Sequence, residues 1–130
     1  MDSEIKDKIT QRLAAIGYTY VEATDAFALG LIYDKIVTRI QHACNISAVP
    51  DCMEAEIIDA VCGEFLAGKK STGQLTGIEI EAIVKAITEG DVKVEFATGS
   101  TGASDIFDAY MTKLATIDPE AILAHRRLVW

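Results

Sequence analysis

No apolar run in this chain approaches the roughly 18–20 residues that a membrane-spanning helix needs, so the sequence predicts no membrane span. Positive charge is scarce: 12 Lys and Arg stand against 20 Asp and Glu, a net of −8. A free-standing nucleic-acid binder takes its affinity from cations that neutralise phosphates, and adhesion to anionic membranes uses the same cations. Both classes are disfavoured. The start, Met1-Asp2-Ser3-Glu4, is acidic where a secretory leader is basic. Cysteine is sparse too. Cys44, Cys52 and Cys62 make an odd number, expected as reduced thiols of a cytosolic product. Internal repeats and low-complexity stretches are missing. What remains is a chain of 130 residues, half hydrophobic and a quarter charged. A chain of this size folds as one domain and buries about two-thirds of its unfolded surface.

Hydrophobic spacing predicts a mainly α protein, a small bundle of four to five helices. Ile5, Ile9, Leu13 and Ile16 mark one face of a first helix over about 3–16, with Ser3 as N-cap and Gly17 as its stop. A second helix is expected from a Thr24 cap to about His42. Its stripe is Phe27, Leu31, Ile32, Ile36 and Ile40, widened by Leu29, Tyr33 and Val37. Residues 44–50 read as a connector. A third helix starts at Asp51, with Glu54 three residues on as a capping box, and ends near Lys69-Lys70. Its wide stripe (Met53, Ile57, Ile58, Val61, Cys62, Phe65 and Leu66) marks it as the central helix. The polar, glycine-containing run 71–77 is a loop. A short helix carrying Ile80, Ile83, Val84 and Ile87 follows and closes at Gly90.

The period then changes to two. Val92, Val94 and Phe96 alternate with Lys93 and Glu95, the pattern of a half-buried strand near 91–98. One strand cannot satisfy its own backbone groups, so it pairs either within this chain or with a neighbouring subunit. Beyond a loop at 97–103, Ser104 is expected to cap a last helix with Ile106, Phe107, Tyr110, Met111 and Leu114 inward. Asp118-Pro119 interrupts it. The division is a helical domain over 1–117, with an insertion at about 90–103, and an extended C-terminal arm over 118–130.

Chemistry is thin. Gly63 to Lys70 nearly spells a phosphate-binding loop, but the last position is Lys70 instead of Ser or Thr, and the stretch ends a helix with no strand before it. His42, Cys44, Cys52 and Cys62 fit no zinc spacing. Cys52 and Cys62 lie roughly 15 Å apart along a helix, too far to share one ion with bonds of about 2.3 Å. The carboxylate pairs Glu54 with Asp59 and Glu79 with Glu81 have no His or nucleophile beside them and read as solvated acidic faces. The glycine-rich run 98–102 reads as a plain loop before an anion nest. Asn45-Ile46-Ser47 matches a glycosylation triplet, which has meaning only in a secreted chain. No catalytic residue, cofactor site or metal site is therefore assigned.

The end of the chain differs. His125, Arg126, Arg127, Leu128, Val129 and Trp130 bring together two arginines and the single tryptophan. These are the residue types most enriched at binding hot spots. Three outcomes stay open: the tail packs on its own core, docks on another subunit, or frays.

The order of features resembles the head–tail connector (adaptor, or head-completion) proteins of tailed phages and prophages of Gram-positive bacteria. The resemblance rests on Gly63-Glu64-Phe65-Leu66 running into Lys69-Lys70, on Ile87-Thr88-Glu89-Gly90-Asp91-Val92-Lys93-Val94-Glu95-Phe96-Ala97-Thr98-Gly99, and on the His125-Arg126-Arg127-Leu128-Val129-Trp130 ending. It implies a non-enzymatic virion protein, made in the host bacterial cytoplasm and sited at the head–tail junction. Copies would form a ring, commonly of twelve, under the portal protein. The ring would extend the DNA channel and offer a surface to the next connector, stopper or tail protein. By the same resemblance His125 to Trp130 would be the arm that reaches the portal, and Val92 to Phe96 would touch a neighbouring copy or the channel. DNA would pass without specific binding, and no membrane is involved. The alternatives are a small helical interaction module without ring assembly and, from another class, a nucleotide binder using Lys69 and Lys70.

Overall fold

The computed structural model describes residues 3–90, 103–117 and 119–125. These residues form α1 (Ser3–Ile16), α2 (Glu22–Cys44), a 3-10 turn (Asp51–Met53), α3 (Glu54–Ser71), α4 (Gly77–Gly90), α5 (Ala103–Ala115) and α6 (Pro119–His125). The described residues contain no strand. The strand expected at Val92 to Phe96 lies outside them.

α3 is the centre of the bundle, packed on α1, α2 and α5. Its buried residues Ile57, Ala60, Val61, Cys62, Phe65 and Leu66 cover more than one side of the helix, which is why three neighbours fit around it. Ion pairs fix the directions. Lys8 meets Glu54 and Arg12 meets Asp59, so α1 runs alongside α3 in the same sense. Asp25 meets Lys69 and Arg39 meets Glu64, so α2 runs against it. α5 also runs against it, with Lys70 on Asp108 at one end and Gly63 on Ala115 towards the other.

Gly63 sets the closeness of the α3–α5 crossing. A Cβ at this position would sit 2.8 Å from Met111 O, Leu114 Cβ and Ala115 N. Two of those atoms are backbone and cannot rotate away, so the glycine is there for close approach. Gly17 does a different job. Its φ of 102° turns the chain out of α1, the stop expected from the sequence.

Several helix ends differ from expectation. α2 begins two residues before Thr24, with Val21 as an extended N-cap that has no side-chain cap of its own. Asp25, one turn in, reaches back instead: its Oδ2 accepts from Val21 N–H at 3.0 Å. α3 starts at Glu54 behind the 3-10 turn. Its N-cap is Met53, and Glu54 leaves the expected capping box to bond Lys8 at 2.9 Å. A side-chain N-cap does occur at α4, where Thr76 Oγ1 accepts from Glu79 N–H at 3.1 Å and donates to Glu79 Oε1 at 3.2 Å. α5 starts at Ala103, one residue before the expected Ser104 cap, and Ser104 Oγ binds Lys70 Nζ at 2.6 Å.

The face of α2 is the main correction in the core. Leu29, Ile36, Ile40 and Cys44 are its buried apolar residues. Phe27 and Leu31, expected in the stripe, are 84% and 60% exposed. α2 is apolar on most sides, so spacing alone does not say which side meets the core. The packing on α3 selects Leu29, Ile36 and Ile40. The arm is corrected too. Its first part, Pro119–His125, is a helix and not extended chain, and Ile122 packs against the core. Pro119 suits the first helical position, where its missing N–H costs nothing.

Candidate docking site

The two segments singled out from the sequence border different helices: 91–102 lies between α4 and α5, and 126–130 follows α6. Val92 to Phe96, and Arg126, Arg127, Leu128, Val129 and Trp130, lie outside the described residues. His125 is the last residue of α6. The segment 91–102 joins the first turn of α5, held at the C-terminal end of α3 by Lys70 Nζ on Asp108 and Ser104 Oγ, each at 2.6 Å. α6, which leads into the tail, is held at the other end. There the Cys44 thiol donates to Ile122 O at 3.6 Å, beside Arg39, Ile40 and Ala43 of α2.

A groove of about 430 Å³ opens at the α6 end between α1, α2 and the start of α3. Ile5, Tyr33, Val37, Val49, Pro50 and Ile57 line it together with the charged Glu4, Lys8 and Glu54, and more of its exposed surface is polar than apolar. Lys8 Nζ lies 2.9 Å from Glu54 and 3.5 Å from Glu4. The hydrogen bond to Glu54 leads in holding the Lys8 ammonium above its usual pKa. The sequence supplied these residues as core (Ile5, Ile57), stripe (Tyr33, Val37) and connector (Val49, Pro50). Only the fold brings them together as a groove.

Apolar side chains also stand in solvent on separate helices: Phe27 and Leu31 on α2, Ile78 on α4 and Leu123 on α6. Scattered exposed apolar residues are normal, but Phe27 and Leu31 sit at i and i+4 and so form one adjacent pair.

The opposite end carries a buried polar cluster that the sequence did not mark. Asp25 is fully buried, and its carboxylate accepts from Tyr18 Oη at 2.7 Å and Val21 N–H at 3.0 Å. Lys69 Nζ lies 2.5 Å from Asp25 Oδ1 and near the faces of Tyr18 and Phe65, 5.6 and 5.5 Å from their centroids. Burial pushes the Asp25 carboxyl up, but the bonds from Lys69, Tyr18 and Val21 outweigh it and hold it below the usual range. Burial likewise pushes Lys69 down, and Asp25 with Tyr18 holds it above the usual range. The Gly63-to-Lys70 stretch lies within α3, where backbone N–H groups serve the helix ladder, and both lysines face carboxylates. That arrangement gives no phosphate cradle. Glu54 and Asp59 each pair with a cation of α1, and Glu79 Oε1 accepts from Thr76 Oγ1 at the start of α4. Among the described residues no three His, Cys, Asp or Glu side chains gather where an ion could sit, and no helix is long and apolar enough to cross a membrane.

Comparison of the chain with protein-family models, with curated proteins and with solved structures finds no match.

Proposed function

We propose that this chain is a head–tail adaptor: a structural virion protein that forms a ring under a portal protein and carries the DNA channel towards the next connector. The sequence resemblance suggests the reading. The observation that supports it best is that the 91–102 segment and the C-terminal tail join the helical body at different helices, the first between α4 and α5 and the second after α6. A ring subunit must meet one component above and another below, and two candidate contact segments that leave the body from different helices suit that task. Exposed apolar residues on different helices, Phe27 and Leu31 on α2 and Ile78 on α4, suit heterologous side contacts, in which one face meets a different face of the next copy.

The acidic balance fits a conduit. Carboxylates facing the lumen repel phosphates, so DNA passes without sticking. A lumen lined mainly by Lys and Arg contradicts this part of the proposal. The direct test is electron microscopy of the protein mixed with its portal protein. Rings seated on the portal are expected. A protein that stays monomeric and ignores the portal overturns the reading, and a one-to-one complex with a single partner protein favours the plain interaction module.

A further inference from the structure

We infer that the outer face of α2, built on Phe27 and Leu31, packs against the outer face of α4, built on Ile78, in a second copy of this chain. The inference rests on the ring reading and supplies the ring's side contact. Phe27 is 84%, Leu31 60% and Ile78 80% exposed, so the chain leaves all three uncovered. At 3.6 residues per turn, Phe27 and Leu31 lie roughly 160° to either side of the buried Leu29. Glu81 and Lys85 lie roughly 160° to either side of the buried Ile83 in the same way. These are the outward lines of the two helices, where a neighbour would lie.

The packing order sets these faces on different flanks. α2 packs on α3 and α6, whereas α4 packs on α1 and α5, both of which also pack on α3. A contact between two different faces is heterologous, the kind that closes into rings. The helix directions agree with a ring. α2 runs against α3. α4 leaves the loop at the C-terminal end of α3, and its Ala86 lies beside Gly17, next to the Tyr18 that packs on Phe65. It therefore turns back along α3 as α2 does. Two helices that share a direction in one copy keep it in a copy rotated about an axis along the bundle.

Charge complementarity selects a second copy and fixes the pairing. Asp34 follows Phe27 along one edge of the α2 face, and Lys85 follows Ile78 along one edge of the α4 face, each two turns on. Laid side by side in the same direction, the helices bring Phe27 to Ile78 and Asp34 to Lys85, with Lys35 and Glu81 together on the opposite edge. Laid in opposite directions with Phe27 still on Ile78, they carry Lys85 past the start of α2 and leave Asp34 without a cation. All four charged side chains are exposed. Among the described residues Asp34, Glu81 and Lys85 enter no ion pair. Lys35 shares the Glu64 carboxylate with Arg39, at 3.3 and 3.2 Å.

The two faces can be disabled one at a time in the full chain. Leu31→Glu alters the α2 face and Ile78→Asp the α4 face. Each variant alone should be monomeric by sedimentation velocity at a concentration at which the unaltered chain assembles, with portal protein added where assembly needs it. Mixed one to one, the two should form a dimer and nothing larger, because each supplies the face that the other lacks. Both positions are exposed, and helical circular dichroism checks that the fold is kept. In case a variant misfolds, Asp34→Lys should weaken association roughly fivefold, and adding Lys85→Asp to the same chain should restore it. Ile78→Asp that still dimerises means that α2 faces meet each other and overturns the inference. A mixture that stays monomeric, or a charge reversal without rescue, also overturns it, while rings of the unaltered chain leave the ring reading standing. An unaltered chain that remains monomeric with its portal overturns the ring reading and the inference with it.

Discussion

The Lys69 ammonium lies 2.5 Å from the Asp25 carboxylate, which ties the end of the central helix to the first turn of α2 at a point sealed from solvent on the Asp25 side. Tyr18, from the α1–α2 turn, hydrogen-bonds the same carboxylate and packs edge-on against Phe65, their centroids 5.7 Å apart. One buried carboxylate thus joins three parts of the chain. Asp25→Ala should lower stability by about 3–5 kcal/mol in urea denaturation, because it leaves a largely buried ammonium uncompensated.

The same pair sets a pH dependence. The Asp25 carboxyl titrates lower in the folded than in the unfolded chain, so its contribution is present above the ordinary carboxylate pKa of about 3.9 and is lost as pH falls through the folded value. Lys69 is raised, so its contribution is present below the ordinary lysine pKa of about 10.4 and is lost as pH rises through the folded value. Denaturation midpoints measured across pH should show an acid-side decline that is shallower in Asp25→Asn than in the unaltered protein.

Gly63→Ala tests the α3–α5 crossing. The added methyl meets backbone atoms of Met111 and Ala115 at 2.8 Å, so the helices must move apart. A loss of about 2–3 kcal/mol is expected. Gly68→Ala, five residues further along the same helix, has open space at its Cβ and should be neutral or slightly stabilising, since alanine is the better helix former.

The cysteines should separate by reactivity. Cys52 is exposed, whereas Cys44 and Cys62 are buried and none of the three is in a disulfide. Burial pushes the Cys62 thiol up to about 12, so almost no thiolate is present near neutral pH. A thiol reagent at pH 8 should label one residue per chain quickly, identified as Cys52 by peptide mapping, and the other two only in denaturant. Early labelling of Cys62 contradicts the packing.

Phe27→Ser and Leu31→Ser should change the stability of the isolated monomer by no more than about 0.5 kcal/mol, because neither side chain is in the core. If α2 supplies a side contact, both variants should weaken self-association in sedimentation experiments. The same substitution at Leu29, fully buried two residues away, should be severely destabilising.

Much of the helical framework was legible in the sequence because helices announce themselves locally. Ile5, Ile9, Leu13 and Ile16 repeat at the helical period and Gly17 stops them, and α1 has the bounds expected. The wide stripe from Ile57 to Leu66 identified the central helix, since only a helix with several neighbours needs apolar residues on several sides. The Thr76 cap of α4 is a local signal too, a threonine three residues before Glu79, whose N–H it accepts. The faces of α2 were not legible, because Phe27 and Leu29 are equally apolar and only a partner's position separates them.

The sequence by itself determined the approximate places of α1 to α5 but not of α6, which helix is central, and that its body is acidic with a basic, aromatic end. Those properties depend on residues a few positions apart and on sums of charge. The tertiary structure alone decided that Asp25 meets Lys69, that Gly63 lies under Ala115, that Phe27 faces water, and that Ile5, Val37, Val49 and Pro50 line one groove. Each depends on which surfaces the packed helices bring together or leave open, and local spacing carries no information about that.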